Sequence, residues 1–124
     1  MNAGYGLAVR WSLTDAPPEV AGQLREYVVG TSMASFMFLD GLAFKTWRMR
    51  EGEWFEGTYV FGDAAARDAF QEDFSGRATT APGSEIIGSA PTHIETFEVV
   101  AVAEGPAQFR RGPGPGTDGA PQRV

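Results

Sequence analysis

The 124-residue sequence contains no cysteine, one histidine (His93) and one lysine (Lys45). Without cysteine, disulfides, thiolate nucleophiles and iron–sulfur clusters are excluded. With one histidine and no cysteine, neither a zinc ligand set nor a paired-histidine helix motif can be written. Haem would have to rely on His93 as its axial ligand. No glycine-rich strand-to-helix turn of the dinucleotide type occurs, and no phosphate-binding loop. Cofactor-free, metal-free chemistry is therefore expected. Long apolar runs are also missing, and Met1 to Leu13 lacks a basic segment followed by an apolar core. The expectation is a cytoplasmic protein with no membrane partner. Positive charge is in deficit, the formal net charge being -6. A phosphate backbone would be repelled, so nucleic acid is not an expected partner.

Aromatic residues are abundant at 12%, with nine Phe, three Trp and three Tyr. In so short a chain, many rings suggest a ligand cavity or a subunit interface as well as a core. Residues 1–104 read as one domain, and 105–124 as a Gly/Pro-rich disordered tail containing Gly112-Pro113-Gly114-Pro115-Gly116.

Period-two alternation marks Gly6 to Leu13 as a strand. Thr14 and Asp15 offer capping oxygens, and Pro17-Pro18 suit a first helical turn. Val20, Leu24, Tyr27, Val28 and Thr31 then fall on one helical stripe. Asp40-Gly41 and Glu51-Gly52 are turn signals bounding a strand from Leu42 to Arg50. Glu53 to Phe61 is the third strand. Asp63 caps a helix from Ala64 to Phe74. Ser75 to Ala90 reads as a loop with one short element near Ser84 to Ile87, and Thr92 to Val102 as the fourth strand.

This βαββαβ order predicts an α+β, ferredoxin-like fold with a four-stranded antiparallel sheet and helices on one face. The middle strands are apolar on both faces. Leu42 and Phe44 oppose Ala43, Trp47 and Met49; Trp54 and Val60 oppose Phe55, Tyr59 and Phe61. A sheet with one wet face should alternate cleanly. A second copy of the chain is the simplest cover, giving a homodimer around an apolar pocket.

The run Gly41-Leu42-Ala43-Phe44-Lys45-Thr46-Trp47, then Phe55-Glu56-Gly57-Thr58-Tyr59-Val60-Phe61, then Asp63 to Phe70, resembles the YdhR-like monooxygenases. These belong to the dimeric α/β-barrel superfamily that includes antibiotic-biosynthesis monooxygenases. Asp40 stands where that family has proline, and Glu56 where it often has glycine. The resemblance implies a dimeric α/β barrel and oxygenation of a hydrophobic aromatic, polyketide-type metabolite without a cofactor. The substrate, as phenolate or enolate, would itself pass an electron to O₂. A cyclase or isomerase would begin from the same enolate, and a non-catalytic binding protein would need only the pocket.

His93 is the first candidate for base, because an unperturbed imidazole titrates near neutrality; a surface histidine is the plainer alternative. Tyr59 and Trp47 carry O–H and N–H donors suited to a substrate oxygen and complete the catalytic set. Lys45 is placed to hold an anionic substrate. Trp11, Phe44, Trp54, Phe61 and Met37 are the expected apolar lining, with Met33, Phe36 and Phe38 as further candidates for the pocket wall. Arg48 and Glu56 are expected to pair across the hairpin, and Arg10 to find Glu95 or Glu98.

Overall fold

Gly41 and Gly52 both adopt positive φ, 85° and 78°, as a sharp turn beside a strand requires. Between them runs β2, Leu42–Arg50, with the bounds the two turn signals set. The computed structural model describes residues 3–109. The Gly/Pro repeat at 112–116 lies outside them.

The sheet has the order β2-β3-β1-β4, where β1 is Gly4–Ser12, β3 Trp54–Phe61 and β4 His93–Val99. All neighbouring strands pair antiparallel. This is the expected ferredoxin-like α+β fold. Helix α1 covers Val20–Tyr27, opening without a side-chain cap. It passes through a π-helical turn, Val28–Ser32, into α2, Met33–Met37. Helix α3 covers Ala64–Gly76, and Asp63 caps it as expected, its Oδ1 accepting from Ala66 N at 2.7 Å. A 3₁₀ turn, Ala78–Thr80, leads into α4, Pro82–Ile87, which is the short element expected near Ser84 to Ile87, begun two residues earlier. No helix among the described residues is long and apolar enough to cross a membrane.

The helices cover one face. There Leu7, Val9 and Trp11 of β1 meet Phe55, Tyr59 and Phe61 of β3, with Leu24, Phe74 and Ile87 from above. The register places Lys45 opposite Tyr59, Trp47 opposite Gly57 and Met49 opposite Phe55 on that face. A bulge between Leu42 and Phe44 breaks the expected phase of β2. Leu42 therefore packs against the core, while Phe44 lies on the other face with Trp54, Glu56 and Val60.

Among the described residues no helix covers the other face. Arg10 finds its partner on β3 and not on β4: its Nε donates to Glu56 at 3.1 Å. Arg48 Nε donates to the same carboxylate at 2.7 Å, and Thr58 Oγ1 at 2.9 Å. Glu56 lies directly opposite Arg10, whereas Glu95 is opposite Ala8 and Glu98 opposite Tyr5. Glu98 is thereby on the wrong face to answer Arg10. Burial works to raise the Glu56 pKa, but bonds from Arg48, Thr58 and Arg10 outweigh it and leave it below the usual carboxylate value.

Candidate functional site

Between the sheet and the helices lies a cavity of about 70 Å³. Its floor is Trp11, Lys45, Trp47, Phe55, Gly57 and Tyr59; Tyr27, Ser32 and Phe36 form one wall, and Phe70, Phe74 and Arg77 another. The π-helical turn Val28–Ser32 overhangs it, and such turns recur at functional sites. An extra residue in the turn re-phases the helix, so that both Ser32 and Phe36 face inward.

Lys45 rises from β2 into this cavity. Its Nζ lies 3.5 Å from the Phe36 ring centroid, 4.3 Å from Tyr59 and 4.5 Å from Trp47. Glycine at position 57 makes the room: a Cβ there would stand 3.1 Å from Lys45 Cε and 3.4 Å from the Tyr59 ring. Among the described residues no carboxylate lies within ion-pairing distance of Nζ. Ring faces return about 0.5–2 kcal/mol each to a desolvated ammonium. Removing that ion from water costs several kcal/mol. Burial, reinforced by the positive charge of Arg77, holds the Lys45 pKa well below its usual value.

Tyr59 is 3% exposed. Among the described residues its hydroxyl makes no hydrogen bond, and neither does the Trp47 indole. Burial pushes the Tyr59 pKa up, so the group stays a neutral phenol. Trp11 differs. Its Nε1 donates to Ser84 Oγ at 2.9 Å, and Ser84 in turn donates to Ala78 O. That chain ties α4 to β1 and leaves Trp11 only a ring face for the cavity. Arg77 Nε donates to Asp73 at 3.0 Å, and the guanidinium passes over the Phe74 ring.

Of the residues expected at the site, the cavity brings together Tyr59, Trp47, Lys45 and Trp11. His93 is not among them. It is exposed on the helix-free face, opposite Arg10 in register, with Nδ1 3.0 Å from Thr92 Oγ1. Phe44 and Trp54 share that face, and Arg10 lies over the Trp54 ring at 4.0 Å. Phe61 packs behind Tyr59 in the core. Met37 is 69% and Phe38 85% exposed, so of the expected helical wall Phe36 alone lines the cavity. The cavity also lies within one chain and not between two paired sheets. Arg77 was not anticipated; a lone arginine after a helix reads as a partner for the helix dipole.

Two solved structures share this fold. One is the NE2512 protein of unknown function from Nitrosomonas europaea, at 20% identity and TM-score 0.62, covering 82% of this chain and 94% of that one. The other is a monooxygenase from the gene ActVA-Orf6 of Streptomyces coelicolor, in complex with the ligand nanaomycin D. It is 15% identical with TM-score 0.60, and the match covers 82% of this chain and 92% of that one. No protein-family model matches the chain, and no curated protein does.

Proposed function

We propose that the chain is a cofactor-independent monooxygenase-like enzyme acting on a hydrophobic aromatic, polyketide-type metabolite. The observation that carries this reading is Lys45: an amine set among three ring faces, without a carboxylate partner among the described residues, in an aromatic-walled cavity. Uncharged, it takes a proton from a substrate phenol or enol. The ammonium so formed and Arg77 then face the substrate anion, with the Tyr59 hydroxyl and Trp47 indole as donors. The anion passes an electron to O₂. In the net reaction one oxygen atom enters the ring and the other leaves as water, the substrate supplying all the electrons. The base is thus Lys45 rather than His93, which lies on the opposite face. The sequence resemblance over Gly41–Phe70 and the fold shared with a monooxygenase support the same reaction class.

At about 70 Å³ the cavity is smaller than the roughly 150 Å³ apolar cavity that admits benzene. A polycyclic substrate therefore requires a wall of the cavity to move outward. Turnover of polycyclic phenols should stop when air is replaced by nitrogen. Turnover that persists would instead mark a cyclase or isomerase working from the same anion. Lys45→Met should lower kcat by about a hundredfold or more; unchanged turnover would remove the assigned base.

The helix-free face is the proposed seat of a second copy. Phe44 and Phe97, 38% and 37% exposed, lie on it. Phe97 lines a hollow of about 540 Å³ bordered also by Arg10, Arg48, Glu56 and His93.

A further inference from the structure

A lysine without a carboxylate partner has two uses in an apolar cavity: it can accept a proton, or its nitrogen can attack carbon. The geometry around Lys45 fits the second as well as the first. Nζ is held in place by the rings of Phe36, Tyr59 and Trp47. Gly57 leaves its last carbons unobstructed. The neutral hydroxyl of Tyr59, a donor with no partner among the described residues, shares the cavity. Arg77 supplies a positive field without competing as an acceptor. The free volume, about 70 Å³, takes a molecule of a few heavy atoms without any movement of the walls that a fused ring would need.

We propose that Lys45 captures small carbonyl compounds, aldehydes or 2-oxo acids, as an iminium on its Nζ. The lone pair of the amine attacks the carbonyl carbon and a C–N bond forms. The C=O π pair moves to oxygen, which receives a proton from the Tyr59 hydroxyl; the phenol is restored by the proton that nitrogen releases. A further proton from solvent lets the carbinolamine hydroxyl depart as water, and nitrogen closes the C=N⁺ bond. No oxidant or reductant takes part, and hydrolysis reverses the sequence. With a 2-oxo acid, the carboxylate would lie toward Arg77; with a simple aldehyde, that contact is absent. This activity shares the uncharged Lys45 with the oxygenase reading but does not depend on O₂.

The sequence makes the test direct, because Lys45 is the only lysine and the amino terminus is the one other primary amine. The full-length protein is incubated near neutral pH with acetaldehyde or with pyruvate, each with cyanoborohydride, and the adduct is mapped by peptide mass. Expected is reductive alkylation of Lys45 at least about tenfold faster than of a free lysine derivative, since a lowered pKa raises the uncharged fraction near neutrality. Tyr59→Phe should slow the adduct while leaving it on Lys45, and a pyruvate preference should be lost in Arg77→Gln. Alkylation confined to the amino terminus, or Lys45 reacting at the free-lysine rate, overturns the proposal. A parallel measurement with cyanate, a reagent of three heavy atoms that carbamoylates only uncharged amines, separates the two readings. Rapid carbamoylation of Lys45 without a carbonyl adduct removes only the capture activity. Carbamoylation of Lys45 no faster than that of a free lysine derivative removes the uncharged amine on which both depend.

Discussion

Two ionisable side chains on opposite faces of one sheet meet opposite fates. Lys45 is set among rings with no neutralising carboxylate among the described residues, so its charged form is penalised. Glu56 is buried but is held by three donors, so its charged form prevails. Because the folded-state pKa of Glu56 is depressed, its stabilisation is complete above the unfolded value, about 4.3. It fades as pH falls through the lower folded value. Glu56→Gln should therefore lose about 1.5–3 kcal/mol at neutral pH, read from urea unfolding, and the gap from wild type should close in acid. A gap independent of pH would mean that the charge contributes nothing. The sequence exposed one half of this network, the Arg48–Glu56 pair across a short hairpin. For Arg10 it pointed to Glu95 or Glu98 on β4, and wrongly: both neighbours of β1 carry a carboxylate, and only register brings Glu56 of β3 opposite. His93 drew notice by being solitary, yet its face depends on the phase of β4 against β1, which composition does not reveal.

At the level of elements, the site depends on two local departures from regularity. The π-helical turn Val28–Ser32 sets the phase of α2 and brings Phe36 over Lys45. Deleting Gly30, which has open space around it, should restore an ordinary α-helix and rotate Phe36 away. The expected result is a folded protein by circular dichroism with turnover lowered about tenfold or more, misplacement of this kind being costly. Full activity would show that the turn is incidental. The second is α4, tied down by Trp11 Nε1 to Ser84 Oγ. Ser84→Ala leaves a buried indole donor unpaired and should cost about 1–3 kcal/mol in a denaturant titration. Turn chemistry made β2 and the cap of α3 readable in advance. The π turn has no signature of its own, because Val28 to Thr31 look like any apolar helix stripe. The bulge before Phe44 was equally silent, and it reversed the face assigned to Leu42.

For the whole molecule, one sheet divides two environments: a helix-covered cavity of rings and amine, and an open face mixing Phe44, Phe97 and Val60 with the Arg10–Glu56–Arg48 cluster. The surplus of rings in the sequence pointed to more than a core, and the cavity accounts for part of it. Phe97 also fills the space above Gly6, where no side chain would fit. If a second copy covers the open face, sedimentation at micromolar concentration should give a dimer, and Phe97→Asp should shift it toward monomer. Wild type running as a monomer would leave that face to another occupant.

The half-buried position of the single lysine also shapes how the molecule carries charge. Apart from the amino terminus, every fixed positive charge on its outside is a guanidinium, which stays protonated throughout the alkaline range. Raising pH through the region where ordinary lysines discharge thus strips almost no cations from this surface. An alkaline titration would release almost no protons from the cations of this surface, and electrophoretic mobility would hold nearly level where that of most acidic proteins climbs.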